Sequence, residues 1–103
     1  MATYTFDGYK LTLRDTFNRD GMGKAILSYT LVSPSGVKLF SGADFHASPM
    51  HKAISRDSAL ALLGFLTLRP GDTDREYFDS YTPEQLAWAK SYDCEMLASY
   101  ATA

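Results

Sequence analysis

The spacing of apolar residues changes near residue 40, and this change constrains the fold more than any other feature of the sequence. Before it, apolar residues occupy alternate positions, as at Tyr9, Leu11 and Leu13 and again at Leu27, Tyr29 and Leu31. Alternation of this kind predicts strands with one buried face. After it, the run over 59–68 is almost wholly apolar, which favours a buried helix. Strands followed by helices predict an α+β fold.

Turn-forming residues divide the strand half into short segments. Asp7-Gly8, the segment 18–23 and the segment 33–36 are rich in Gly, Asp, Asn, Pro and Ser, which tolerate the backbone angles of tight turns. Short turns between consecutive strands predict an antiparallel meander of three to four strands, the first over 3–6. We expect the last strand to break at 41–43 and the segment 44–54 to be an irregular crossing.

Capping residues place the helices. Ser55 or Asp57 can begin a helix over 57–68, which Pro70 and Gly71 would end. Asp72 can begin a short second helix, and the capping-box sequence 82–85 (Thr-Pro-Glu-Gln) begins a last helix over 83–99. We therefore expect two or three C-terminal helices packed against the sheet, in a single domain over 1–103.

The N-terminus, the apolar runs and the cysteine count bear on location. The first residues lack the basic start and apolar run of a signal peptide, and no apolar run approaches the roughly twenty residues that span a membrane. The single cysteine, Cys94, excludes a disulfide within the chain and fits a reducing compartment. The sequence predicts a cytoplasmic protein without a membrane partner.

The net charge of -2 conceals a division along the chain. Residues 1–56 hold seven Lys and Arg against four Asp, a balance of +3, and residues 57–103 hold three against eight acidic residues, a balance of -5. The strand half is thus mildly basic and the helical half acidic. Such asymmetry can steer partners, although acids near helix N-termini also favour the helix dipole.

The acidic half also contains several tyrosines, which offer rigid aromatic area with a polar tip and suit protein contacts. This combination favours a small, non-catalytic protein-binding module that docks on a partner with a basic surface. Tyrosines that only border the core, with their hydroxyls in water, are the alternative explanation. The predicted binding residues are Asp72, Asp74, Glu76, Tyr77, Asp79, Tyr81, Glu84, Tyr92 and Glu95.

Size and charge suggest one specific version of this function. A compact acidic protein could inhibit a nucleic-acid-handling complex by occupying its positive groove, as anti-CRISPR and other anti-defence proteins of phages and mobile elements do. This is an analogy of size and charge. A homo-oligomer formed through exposed tyrosines or a sheet edge is a milder alternative.

A basic hairpin provides a second alternative, direct nucleic-acid binding. The turn between the second and third strands is flanked by Arg14, Arg19 and Lys24, with Phe17 between them. Basic side chains can hold a phosphate backbone while an aromatic ring stacks on a base. Acidic residues inside the same segment partly cancel its charge.

Enzymatic sites have little support in the sequence. Asp44, His46 and His51 could serve a metal-assisted hydrolase, but the two histidines are not four residues apart, the spacing that shares a helix face. The acidic run beginning at Asp72 lacks the Gly and Glu that a calcium-binding EF-hand loop requires. Carboxylates on both sides of Cys94 should raise a thiol pKa. We therefore expect neither catalysis nor a cofactor.

Overall fold

The computed structural model describes residues 1–47, 53–67 and 80–92. The backbone divides into two compact units, Met1–Ala59 and Leu60–Ala103. The described residues form a four-stranded antiparallel sheet and two helices, so the predicted α+β class is confirmed. The predicted single domain and the packing of the helices against the sheet stay predictions.

Each strand of the sheet pairs with the next strand along the chain, in the order β1-β2-β3-β4. Short connections allow this order, because antiparallel neighbours can be joined by a tight turn. The predicted alternation of faces and the predicted first strand are both present. The strands are β1 (Ala2–Phe6), β2 (Tyr9–Arg19), β3 (Ala25–Val32) and β4 (Lys38–His46).

The two faces of the sheet differ in chemistry. Four leucines of the central strands have no exposed surface: Leu11, Leu13, Leu27 and Leu31. Burying each such side chain contributes roughly 1.5 to 3 kcal/mol. On the other face, the register places one hydroxyl side chain from each strand directly opposite the next. This hydroxyl row consists of Thr3, Thr12, Thr30 and Ser41. Successive side chains of a strand project from opposite faces, and Thr12 and Thr30 each adjoin a buried leucine in sequence, so the hydroxyl row lies on the face opposite the leucines.

Two tight turns close one end of the sheet, which we call the turn end. Asp7 and Gly8 both have positive φ, 51° and 84°, which is typical of a two-residue type I′ hairpin. In the turn between β3 and β4, the N–H of Gly36 donates to the carbonyl of Ser33 and Gly36 has a φ of 88°. A Cβ on Gly8 would lie 2.9 Å from Cγ of Pro34, so these two turns are in contact.

The opposite end, which we call the bulge end, comprises residues 16–24 and His46. In the turn there, the N–H of Gly23 donates to the carbonyl of Asp20, and Gly23 has a φ of 80°. Gly36 makes the same kind of bond in the turn between β3 and β4. The predicted turn over 18–23 is therefore present, but β2 continues to Arg19 before it begins.

The predicted break at 41–43 is wrong, because β4 continues through Gly42 to His46. The phenol ring of Tyr29 on the neighbouring strand occupies the space beside Gly42, within 3 Å of where a Cβ would be. A cross-strand aromatic of this kind supports a glycine that would otherwise weaken a strand. Residues 44–46 are thus strand and not part of an irregular crossing.

The first helix, α1 (Arg56–Leu66), lies close to its predicted position. Ser55 precedes it and accepts a hydrogen bond from the backbone N–H of Ser58 at 3.1 Å, as a helix cap does. Its buried side chains are Ser58, Ala59, Leu62, Leu63 and Leu66, whereas Phe65 is 47% exposed. The short helix predicted from Asp72 lies outside the described residues.

The last helix, α2 (Pro83–Ser91), begins where the sequence predicts. Thr82 accepts from the N–H of Gln85 at 3.2 Å, while the Gln85 side chain accepts from the N–H of Thr82 at 2.8 Å. This is the predicted capping box. The predicted end near Ser99 is wrong, because Tyr92 has an extended backbone and ends the helix at Ser91.

Neither of these two helices, nor any other helix in the described residues, is long and apolar enough to cross a membrane.

Candidate functional site

The bulge end contains a shift in strand register that the sequence does not predict. Asp15 pairs with Leu27, but the next paired residue of β2 is Asn18, opposite Ile26. Thr16 and Phe17 are therefore two extra residues, a β-bulge that bends the strand and redirects its side chains. Thr16 Oγ1 donates to the carbonyl of Ile26 at 2.6 Å, which anchors the bulge to β3.

Phe17 is held in an unusual backbone conformation with its side chain in solvent. Its φ is 61°, in the left-handed region that non-glycine residues rarely adopt. Its N–H donates to Oδ1 of Asp15 at 2.8 Å, which stabilises this conformation. The ring is 89% exposed, and Met22 in the adjoining turn is 80% exposed. The bulge end thus presents two large apolar side chains to solvent.

Asp20 ties the turn of the bulge end to the end of β4. Its Oδ1 accepts from the N–H of Met22 at 2.8 Å and of Lys24 at 2.9 Å. Its Oδ2 accepts from Nδ1 of His46 at 2.6 Å. The hydrogen bond from His46, joined by that from Lys24, lowers the pKa of the Asp20 carboxyl below its usual value. Both oxygens of the Asp20 carboxylate therefore accept hydrogen bonds from within the protein.

The predicted nucleic-acid residues lie close together on β2 and its turn, but they do not form one cluster. Phe17, Arg19 and Lys24 belong to the bulge end, where Arg19 Nη1 donates to the carbonyl of Gly23 at 3.2 Å. Arg14 lies further along β2, opposite Ser28. Across the described ranges 1–47, 53–67 and 80–92, none of the three cations forms an ion pair with a carboxylate.

The predicted metal-assisted hydrolase receives no support from the described part of the site. His46 contacts Asp20, which the sequence interpretation did not include, and not Asp44. His51 lies outside the described residues. Among those described, no group of three or more His, Cys, Asp or Glu side chains is placed to hold a metal ion.

Only part of the predicted acidic face lies within the described residues. Of its nine residues, Tyr81, Glu84 and Tyr92 are described, and Asp72, Asp74, Glu76, Tyr77, Asp79 and Glu95 lie outside the described ranges. The hydroxyl of Tyr81 donates to the carbonyl of Leu66 at 3.2 Å. Tyr92 is only 7% exposed, and its ring centroid lies 5.7 Å from that of Trp88. Glu84 is exposed in the first turn of α2.

A cavity of about 540 Å³ opens on the hydroxyl face of the sheet, and we call it the hydroxyl cavity. Desolvation, and secondly the negative charge of Asp44, raise the pKa of the Tyr29 phenol, whose side chain alternates with Thr30 and so belongs to the leucine face. The lining residues come from three strands: Thr12, Arg14, Ser28, Tyr29, Thr30, Ser41, Gly42 and Ala43.

Sequence reasoning identified Phe17 and its flanking cations but missed the bulge, the bond between Asp20 and His46, and the cavity. The only available signal was Asp20 at the start of a turn, a position where Asp commonly accepts backbone hydrogen bonds. No protein-family model matches the chain, and neither a curated protein nor a solved structure is significantly similar to it. Functional inference therefore depends on this geometry.

Proposed function

We propose that this protein is a small binding module that docks on another protein through its bulge end, with Phe17 as the anchor. The observation that carries the proposal is the 89% exposure of an aromatic ring on a backbone held in the left-handed conformation. Water does not favour an exposed phenyl group, and aromatic side chains dominate the energetics of protein interfaces. Burial of this ring by a partner would be favourable.

The backbone conformation at position 17 supports a functional origin for this exposure. A non-glycine residue in the left-handed region costs roughly 1 to 3 kcal/mol. Glycine would remove that cost, yet the chain has Phe here, and the hydrogen bond from its N–H to Asp15 fixes the geometry. Strain retained together with an exposed aromatic is typical of residues that contact a partner.

The chemistry around Phe17 indicates the kind of partner surface. Met22 supplies a second exposed and flexible apolar side chain, and such side chains adapt to irregular pockets. Arg19 and Lys24 add positive charge, while Asp20 is engaged by two backbone N–H groups and His46. We infer a partner with an apolar pocket bordered by acidic groups.

Single-stranded nucleic acid is the second candidate partner, and the exposed ring of Phe17 beside Arg19 and Lys24 at the bulge end favours it. Stacking of one base on an aromatic ring is worth about 1 to 3 kcal/mol, and each cation adds a salt-dependent contact. Salt distinguishes the two partners. Binding to nucleic acid weakens steeply with salt, whereas binding through a buried phenyl ring depends on it little.

Docking of the acidic face on a basic partner, including an inhibitor of anti-CRISPR type, remains a separate proposal. Glu84 is the exposed member of that face among the described residues, and the burial of Tyr92 leaves this ring little area for a partner. Reversing the charges of Asp72, Asp74 and Glu76 together should abolish such binding. A cytoplasmic location, and helices covering the sheet, likewise remain proposals.

The test replaces Phe17 with a photoreactive benzoylphenylalanine and compares it with the same replacement at Val37, which is 53% exposed at the turn end. We expect a defined cross-linked partner from position 17 and not from position 37. Binding of the purified partner should weaken about thirtyfold in Phe17→Gly, the effect of losing a binding hot spot, and stay unchanged in Val37→Ala.

Equal affinities for Phe17→Gly and Val37→Ala would show that the bulge end is not the docking surface. Loss of binding in both Arg19→Ala and Phe17→Gly, together with a steep dependence on salt, would favour the nucleic-acid alternative. Because both substitutions lie at exposed positions, the variants should fold like the wild type.

A further inference from the structure

The hydroxyl cavity lies away from the turn of the bulge end, and three strands supply its walls. The Cα register places Arg14 opposite Ser28, Thr12 opposite Thr30, and Thr30 opposite Ser41. Residues that face each other across strands have Cβ atoms about 5 Å apart. These polar side chains therefore line one open depression on the sheet, large enough for one small molecule.

Four of the side chains that line the cavity are hydrogen-bond donors without a partner in the part of the chain that the structure describes. In residues 1–47, 53–67 and 80–92, the guanidinium of Arg14 forms no hydrogen bond or ion pair. The hydroxyls of Ser28, Thr30 and Ser41 likewise have no partner within those ranges, whereas Thr12 lies 3.3 Å from the hydroxyl of Thr3. None of the described lining residues is acidic.

On the hydroxyl face, the strand β4 lines the cavity with only small side chains, Ser41 and Ala43, which leaves space for a ligand. A volume of about 540 Å³ lies within the range of roughly 300 to 1,000 Å³ that is typical of small-molecule sites. The cavity thus has room for more than a bare ion.

We propose that the hydroxyl cavity binds the phosphate monoester group of a small ligand, of the size of a sugar phosphate or a mononucleotide. The planar guanidinium of Arg14 matches two phosphate oxygens, which a lysine in its place could not do. A phosphate offers a third oxygen to the hydroxyls of Thr30 and Ser41, whereas a carboxylate has only two oxygens, both used by the guanidinium. The remaining polar surface of the ligand faces Thr12 and Ser28.

The test is a titration of the ¹⁵N-labelled protein, observed by NMR, with adenosine monophosphate, ribose 5-phosphate, inorganic phosphate and adenosine as separate probes. We expect saturable shifts at the cavity residues with both phosphate esters, weaker shifts with inorganic phosphate, and none with adenosine. Equal shifts with adenosine and its monophosphate, or no saturable shift at these residues with any phosphate ester, would overturn the proposal.

Substitutions distinguish a specific phosphate site from nonspecific electrostatic attraction of the ligand to the protein. Arg14→Ala should weaken binding of adenosine monophosphate about tenfold to hundredfold, which corresponds to the loss of a charge-assisted hydrogen bond. Arg14→Lys should recover only part of it. The matched control is Lys10→Ala, which removes an exposed cation of the same strand outside the cavity and should leave the affinity unchanged. Equal losses in Arg14→Ala and Lys10→Ala would overturn the proposal.

Two further variants serve as controls. One tests whether the protein still folds, and the other tests whether the ligand binds at the bulge end instead. Thr30→Val keeps the shape and β propensity of the side chain and removes one donor, so it should weaken binding several-fold while thermal unfolding stays normal. Phe17→Gly should leave the phosphate affinity unchanged. Binding that survives Thr30→Val but fails in Phe17→Gly would place the phosphate at the bulge end and overturn the proposal.

Discussion

The two ends of the sheet are built from similar turns and differ in what surrounds them. At both ends a turn is closed by a hydrogen bond from a left-handed glycine, Gly36 at the turn end and Gly23 at the bulge end. At the turn end, Gly8 lies against Pro34, so there the two turns support each other. Nothing lies within 4 Å of the position that a Cβ would occupy on either Gly36 or Gly23, so the close fit of the turn end depends on Gly8.

The difference is consistent with the docking role that we propose for the bulge end. The turn end fits closely and exposes Val37 as its one large apolar side chain, whereas the bulge end exposes Phe17 and Met22 to a greater extent. The bulge end also contains backbone strain at a non-glycine residue that is not required to form a turn. A close fit favours stability, whereas strain combined with exposure is what the proposed binding role of the bulge end requires.

The largest expected effect comes from replacing Gly8 with alanine. The new Cβ would lie 2.9 Å from Pro34 on a backbone with a φ of 84°. The left-handed backbone costs about 1 to 2 kcal/mol and overpacking about 1 to 3 kcal/mol more. Urea unfolding should therefore show a loss of about 2 to 5 kcal/mol. A loss below about 1 kcal/mol would mean that the turn end does not fit as closely as its geometry implies.

Gly23→Ala should have a smaller effect, because it introduces the same backbone strain without a steric contact. We expect a loss of about 1 kcal/mol by urea unfolding. Gly21→Ala is the matched control, since that glycine lies in the same turn without a positive φ and with open space around it. Equal losses for Gly8→Ala and Gly23→Ala would remove the distinction between the two ends.

Phe17→Gly should leave stability unchanged or raise it by about 0.5 to 1 kcal/mol. Glycine relieves the left-handed strain, and the greater entropy of the unfolded chain offsets part of that gain. The 89% exposed ring contributes little packing in return. A clear loss of stability on urea unfolding would assign Phe17 a structural role and count against its role as a binding anchor.

The smallest effect is expected from the pair formed by Asp20 and His46. The pKa of Asp20 is lowered from its usual 3.8 in the folded protein, so the pair stabilises the fold above that pH and the contribution disappears as the pH falls below it. Asp20→Asn should therefore lower the melting temperature at pH 6 but not at strongly acidic pH. A melting-temperature difference that is the same at both pH values would contradict this assignment.

The sequence predicted correctly those parts of the fold that depend on residues close together in the chain. The Asp7-Gly8 hairpin, the leucine face and the capping box at Thr82 depend on residues close together in sequence, and all three are present. The end of α2 was not predictable in this way. The helical pattern continues beyond residue 91, but Tyr92 is extended and buried, with its ring near Trp88, and tertiary placement overrides the pattern.

The errors in the sheet and the missed parts of the site have a common cause, which is dependence on contacts between strands. Gly42 was interpreted as a break because the support from Tyr29 lies on another strand. Phe17 fits the alternation of β2, so nothing in the sequence marks the two inserted residues. His46 reaches Asp20 across 26 positions, and no local pattern encodes that bond.

The strand order has a consequence for how the sheet forms. Every pairing joins neighbours in sequence, so each requires the closure of only a short loop and little conformational entropy is lost before contacts form. We expect the hairpin of β2 and β3 to form first and to provide an edge on each side for the remaining strands. During synthesis, each of the last three strands would find the preceding one already available as a template, which leaves little time for pairing with the wrong chain.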